Sequence, residues 1–336
     1  MHDYFFQTDV VRLALVVSVI VSMLVYERLQ LTSGGAIVPA YLALFLPAPL
    51  DVAVTVGVGY LTYVAVSVLL ARRVILYGRR KFEVEVLVGL GLLSAITVAA
   101  SVTGATNPTL LGLSGIGFVV PGVLAHDMFR QRPSRTILTL AFTTGVVALV
   151  LYVFVSLISI APITPPPPVP EALAGEQTAY AINLLLPAVI VGVITGIVLF
   201  ARLGLRSGGF VTGTYLALVL FRPLDLAFAV GVALVTYVIV RYGLMQWLLI
   251  FGRRKLSSMI LVGAIVAWSA ELLITTITRG SYEPWRGFTV VTLIVPALLA
   301  NDMQRQGVER TLWGAAIVAL AVFGAANLID SVRQFV

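Results

Sequence analysis

Cysteine is absent from this 336-residue sequence, and charge is scarce, with only 11% of residues Asp, Glu, Lys or Arg. Without thiols the chain can form neither disulfides nor thiolate metal centres. Soluble domains carry about 25% charged residues, so the shortfall, set beside 60% hydrophobic residues, marks a membrane composition. Histidine occurs only as His2 and His126, too few for a histidine-rich metal site or a proton relay. No basic stretch and no small-residue cleavage site flank the first apolar run, which reads as retained rather than cleaved. The sequence also lacks a Gly-Lys-Ser/Thr phosphate loop, a Ser/His/Asp grouping and any metal-ligand spacing. The glycine-rich stretch 112–117 follows no strand and is not a nucleotide fingerprint. No cofactor is implied. The shortage of acid–base residues within the apolar runs argues against an intramembrane enzyme.

What is present is a series of apolar runs near the roughly 20 residues that one membrane span requires. In lipid each backbone polar group needs an internal partner, which helices supply alone and open sheets do not. Continuous runs such as 52–70 and 137–160 exclude the short alternating segments of a β-barrel. The predicted fold is an all-α, polytopic helical membrane protein.

The sequence repeats itself. Residues 33–46 (SGGAIVPAYLALFL) and 207–220 (SGGFVTGTYLALVL) are identical at eight of fourteen positions, at an offset of 174. The same offset pairs Asp51 with Asp225 and Gly78-Arg79-Arg80-Lys81 with Gly252-Arg253-Arg254-Lys255. After one inserted residue, Pro121, Asp127, Arg130 and Gln131 pair with Pro296, Asp302, Arg305 and Gln306. Apolar composition gives chance Leu and Val matches but does not place polar and glycine identities in register. The expected organisation is a first repeat over 1–160, a proline-rich extracytoplasmic linker over 161–178 and a second repeat over 179–336. Four consecutive prolines, 165–168, favour a stiff polyproline-II spacer.

Each half divides into six apolar segments: 10–26, 34–46, 52–71, 84–102, 110–125 and 136–160, then 180–200, 208–221, 226–248, 257–277, 287–300 and 311–329. Loops after odd segments hold 17 of the 22 basic residues. By the positive-inside rule those loops face the cytoplasm and both termini lie outside. The net charge of +7 is thereby explained by topology, with no nucleic-acid partner implied. An even number of segments gives the halves one orientation, as a pseudo-dimer about an axis along the membrane normal. The second and fifth segments of each half are short and rich in Gly and Pro. Making only one of them re-entrant would put a basic loop outside, so the reading is about twelve crossings.

Short, interrupted segments at matching positions are a pointer to a transport pathway, here Gly35, Pro39, Tyr41 and Pro121 with Gly209, Tyr215 and Pro296; close helix packing is the other use of such residues. The sharper signal is the pair of Gly-Arg-Arg-Lys turns, which hold the chain's only lysines, Lys81 and Lys255. Arginine forks carboxylates and lysine adds a point charge; topogenesis and anionic lipid binding compete as explanations. Asp51 and Asp225 sit at helix starts, where capping is the default. Asp127 and Asp302 are expected to pair locally with Arg130 and Arg305. Glu271 is an intramembrane carboxylate with Thr97 at its counterpart, and a functional candidate on that ground.

Each half resembles the poly-γ-glutamate biosynthesis membrane protein family PgsC/CapC. In the first half the resemblance rests on Glu27-Arg28, Gly35 through Pro39, Tyr41-Leu42-Ala43-Leu44, Tyr77-Gly78-Arg79-Arg80-Lys81-Phe82, and Gly117 to Pro121-Gly122 with Arg130-Gln131. In the second it rests on Arg202, Gly209, Tyr215-Leu216-Ala217-Leu218, Gly252-Arg253-Arg254-Lys255, Pro296, Asn301 and Arg305-Gln306-Gly307. Ala201, Gly213 and Ala297 depart from Glu27, Pro39 and Gly122. The family is typically a single copy of half this length, so the chain looks like a covalent pseudo-homodimer. The resemblance implies a non-catalytic membrane subunit of a poly-γ-glutamate synthase and export complex in the bacterial cytoplasmic membrane. Its implied partners are a PgsB/CapB-like ATP-dependent amide ligase, a PgsA/CapA-like export subunit, the poly-γ-glutamate product and membrane lipid. The basic turns, with Glu27, Arg28, Arg202, Arg130, Gln131, Arg305 and Gln306, would then dock the ligase and receive the polyanion. An independent secondary transporter or channel for small anions, and a non-conducting scaffold, stay open as alternatives.

Overall fold

A computed structural model describes residues 8–73, 75, 78–102, 116–159, 178–209, 211–286 and 288–335. The expected linker at 161–177 and the glycine-rich stretch 112–115 lie outside the described residues.

Among the described residues every regular element is a helix. The first half contributes α1 (Thr8–Leu29), α2 (Val38–Leu44), α3 (Pro49–Tyr63), α4 (Gly78–Val102), α5 (Val120–Gln131) and α6 (Pro133–Ser159). The second contributes α7 (Leu185–Leu203), α8 (Thr212–Leu218), α9 (Pro223–Val238), α10 (Gly252–Ile277), α11 (Thr289–Gln306) and α12 (Val308–Phe335). Helices α3 and α9 each run on into a π-helical turn, Val64–Leu69 and Ile239–Leu244. Eight helices are long and apolar enough to cross a membrane: α1, α3, α4, α6, α7, α9, α10 and α12. The protein is a polytopic helical membrane protein.

The two halves pack alike. Helix α5 lies against α3 and α4, while α6 covers α1 and α2; α11 lies against α9 and α10, while α12 covers α7 and α8. Between the halves α1 packs on α10 and α7 on α4, two contacts that exchange when the halves are swapped. That reciprocity is the signature of an isologous interface about a twofold axis.

The short segments show how the chain crosses without a full helix. A seven-residue helix is about 10 Å long, a third of the roughly 30 Å hydrocarbon core. Helix α1 ends on the face where the basic turns gather, and α3 returns to that face at Arg72, so residues 30–48 must carry the chain across. They do so as irregular backbone through Ser33-Gly34-Gly35 followed by α2, all of whose residues are buried. Non-helical backbone survives at membrane depth only when protein groups satisfy it. Ser18 of α1 does this, its hydroxyl donating to the Ala36 carbonyl at 2.7 Å and accepting the Ala40 N–H at 3.0 Å. The glycines are sterically required: Gly34 and Gly208 have φ of +77° and +81°, and a methyl group on either would collide with Leu124 or Leu299.

One expectation is corrected. Asp51 and Asp225 do not cap their helices: the N-cap positions are Ala48 and Arg222, neither helix has a side-chain cap, and proline leads each one. Asp225, one turn in and buried, instead accepts the Trp285 N–H at 3.1 Å and the Tyr282 hydroxyl at 2.5 Å, with Arg222 Nε at 2.6 Å. It ties the 282–285 loop over the start of α9. Glu271 acquires a structural partner, Arg12 of α1, which also bonds Asp9 at 2.8 Å; Arg12 and Glu271 are both buried.

Candidate functional site

A cavity of about 760 Å³ opens where the two halves meet, on the face that collects the basic turns. Ser22, Gly35 and Gly196 line it, and Ser22 stands about 10 Å from the end of α1 by helical rise. Both halves contribute equivalent lining: Ser33 with Ser207, Gly35 with Gly209, Asp127 with Asp302, Arg130 with Arg305. Six basic side chains line it, Lys81, Arg130, Arg206, Arg253, Arg254 and Arg305, against two carboxylates, Asp127 and Asp302. A partly enclosed, low-dielectric space with that excess of cations attracts anions far more strongly than the same charges on an open surface.

The cations differ in what holds them. Arg253 forks Asp127 across the interface, and Arg254 forks Glu27 of α1. This corrects the expected local pairs, because Asp127 turns to the other half and Asp302 accepts the Gly208 N–H at 3.1 Å, with Arg206 at 3.9 Å. The physical reason is burial: Asp127 and Asp302 face the protein interior, while Arg130 and Arg305, one turn further along their helices, are exposed at the rim. Among the described residues neither of these two has an ion-pair partner. Lys81 is buried with its Nζ over the Phe129 ring and 3.9 Å from Glu85, whereas Lys255 donates to Gln304 at 2.5 Å. Arg80 is exposed on the first turn of α4, and the side chain of Arg79 lies outside the described residues. Arg28 and Arg202 are exposed at the ends of α1 and α7 and do not line the cavity.

Gln131 and Gln306 serve as clamps. Gln306 accepts the Arg206 N–H at 2.9 Å and donates to the Arg206 carbonyl at 2.8 Å and to Thr311 at 3.0 Å. Gln131 does the same with Thr32 and Thr136. Each amide pins the irregular stretch after the first helix of its half to the end of α5 or α11, so the vestibule rim keeps its shape. Of the predicted pathway residues only Gly35 and Gly209 line the cavity, while Pro39, Tyr41, Pro121, Tyr215 and Pro296 are buried among the helices.

Sequence reasoning missed Arg206, Glu85 and His126. Arg206 matches Thr32, so the repeat gave it no weight. Glu85 has Met259 at its counterpart, so the repeat gave it no weight either, yet it is fully buried and 2.8 Å from Nδ1 of His126, which lines the cavity. Only proximity in space reveals that pair.

The model of the family described as "Capsule biosynthesis CapC" matches the sequence twice, over residues 17–137 and 191–312. The chain is 32% identical over 136 residues to the "PGA biosynthesis protein CapC" of Bacillus subtilis (strain 168), covering 89% of that protein and 40% of this one. It is 29% identical over 141 residues to the "Capsule biosynthesis protein CapC" of Bacillus anthracis, covering 92% of that protein and 42% of this one. No solved structure matches significantly. Each relative thus has room for one match where this chain has two, and the matched stretches fill well over half of it: the chain belongs to the CapC family, as two tandem copies fused in one polypeptide.

Proposed function

We propose that this chain is the integral membrane subunit of a machine that makes and exports poly-γ-glutamate, set in the bacterial cytoplasmic membrane with its vestibule open to the cytosol. The observation that carries the reading is the vestibule itself, with six basic side chains around a cavity between the halves, two of which, Arg130 and Arg305, have no ion-pair partner among the described residues. Poly-γ-glutamate keeps one free α-carboxylate per residue, and paired guanidiniums fork carboxylates. The names of the relatives, which refer to PGA and capsule biosynthesis, support the same product. A PgsB/CapB-like ligase activates and joins the monomers, docking on the exposed cations Arg28, Arg80 and Arg202 at the rim. A PgsA/CapA-like subunit completes export on the opposite face, where both termini lie. Single-copy relatives pair as the two halves do here, through reciprocal contacts of α1 on α10 and α7 on α4.

The test changes Arg130 and Arg305 to Gln together, since neither holds the fold. Secreted polymer should fall at least tenfold while the protein stays at normal abundance in the membrane. Unchanged polymer yield refutes a product-binding vestibule. Because the chain has no cysteine, a single Ser134→Cys reporter, exposed in the basic stretch at the start of α6, gives a clean topology label. Labelling from outside the cell would overturn the orientation.

A further inference from the structure

The two walls of the vestibule are equivalent in sequence position but not in chemistry. On the first-half wall His126 lines the cavity with Nδ1 2.8 Å from Glu85 Oε2, and its ring lies 4.9 Å from that of Phe82. A carboxylate accepts, so this contact places a proton on Nδ1 and leaves the other ring nitrogen as the one that can gain a second. Glu85 has no solvent exposure, and a carboxylate so buried in a membrane protein marks a functional position by default. On the second-half wall the same positions are Met259 and Asn301, which do not titrate.

We infer that the first-half wall is a proton-linked carboxylate site, in which His126, held by Glu85, becomes a cation as a ligand carboxylate binds beside Lys81 and Arg130. The inference deepens the proposed function and takes its ligand class from it. Every charged neighbour of the imidazole bears on the sign. Glu85 on α4 favours the imidazolium, while Lys81 on α4 and Arg130 on its own helix oppose it. Asp127, the next residue along, is taken up by Arg253 of α10. Helix α1 brings the neutral Tyr26 to this wall. Helices α3 and α6, also packed on α5, bring Asp51 at the far end and Arg135 at the rim, the turn after α3 adds the exposed Arg72 and Arg73, and α4 also carries the buried Glu83, two residues before Glu85. An arriving carboxylate offsets Lys81 and Arg130 and so favours ring protonation. By reciprocity, protonation favours the carboxylate. Binding therefore takes up a proton, and affinity falls as pH rises.

The experiment is calorimetric titration of the full chain in phosphatidylcholine nanodiscs with soluble oligo-γ-glutamate, in buffers of different ionisation enthalpy, between pH 6 and 8. The wild type should show net proton uptake and an affinity that falls about tenfold across that range. His126→Asn copies the residue that the second half already carries, so the fold has a precedent for it, and should abolish both the uptake and the pH dependence. Glu85→Gln should diminish them. Wild-type binding without proton uptake overturns the inference and leaves the product-binding vestibule standing, as does undiminished uptake in His126→Asn. No binding at any pH overturns the vestibule reading itself. A lipid phosphate offers the same anionic chemistry, so a parallel arm uses nanodiscs containing phosphatidylglycerol. Proton uptake that appears on adding that lipid and never with the oligomer assigns the site to headgroups and overturns the carboxylate assignment.

Discussion

The pair Arg12–Glu271 allows a sharp test of how the halves are held. It bridges α1 and α10, and the two side chains are only 8% and 7% exposed, so both charges have left water almost completely. Removing one partner of a buried pair strands the other charge, at a cost of about 3–5 kcal/mol. Arg12→Leu should therefore destabilise the protein by that amount, a factor of roughly 10³ in the folding equilibrium at 4 kcal/mol. Glu271→Thr should cost less, because Arg12 keeps its bond to Asp9. The structure also supplies the compensating change. The twofold-related positions are Leu186 and Thr97, on helices α7 and α4, which also pack against each other. Arg12→Leu combined with Glu271→Thr copies that uncharged arrangement and should recover most of the loss. The measurement is equilibrium unfolding in mixed detergent micelles, analysed as a double-mutant cycle. If Arg12→Leu alone is no worse than the double variant, the pair is not coupled and the argument from burial fails.

Gln306→Ala removes the clamp on Arg206 and should cost about 1–3 kcal/mol, the range for stranding buried polar groups, with faster amide hydrogen exchange at residues 206–209 as the readout. Gly122→Ala places a methyl group 2.6 Å from the Val86 Cα, forcing α4 and α5 apart; a loss of about 1–3 kcal/mol in the same unfolding assay is expected. Oligo-γ-glutamate binding should weaken steeply with salt, since the Debye length shortens from about 10 Å at 0.1 M to about 3 Å at 1 M. Arg130→Gln with Arg305→Gln should flatten that salt dependence, and an unchanged slope would show that the rim arginines make no ligand contact.

The helical class, the repeat and the short segments α2 and α8 were legible because each is written locally or in register, whereas Pro296 does not interrupt α11, which runs 18 residues through it. Apolar run length sets which segments span alone, and the glycines at 34–35 and 208–209 announce irregular backbone. The partners of the charged residues were not legible. Asp127 stands three residues from Arg130 in sequence yet bonds Arg253 of the other half, a choice made by how α5 and α10 meet and not by local spacing. Asp225 was readable as a cap only until the loop at 282–285 supplied better donors. His126 looked inert because its partner Glu85 lies 41 residues away on another helix.

Fusion of the two copies bears on all of these contacts. In a symmetric dimer each charged pair across an isologous interface must appear twice or not at all. Here Glu27 pairs with Arg254, while the reverse contact has lost its carboxylate to Ala201. Arg12–Glu271 has the uncharged Leu186 and Thr97 as its mirror image. Each buried pair in lipid carries a desolvation cost that its attraction offsets only with good geometry. A covalent pair of halves can keep a single copy of each, enough to fix how the halves meet. The released positions are then free to diverge, and the vestibule gains walls of unequal chemistry: a Glu85–His126 pair in one half where the other has Met259 and Asn301.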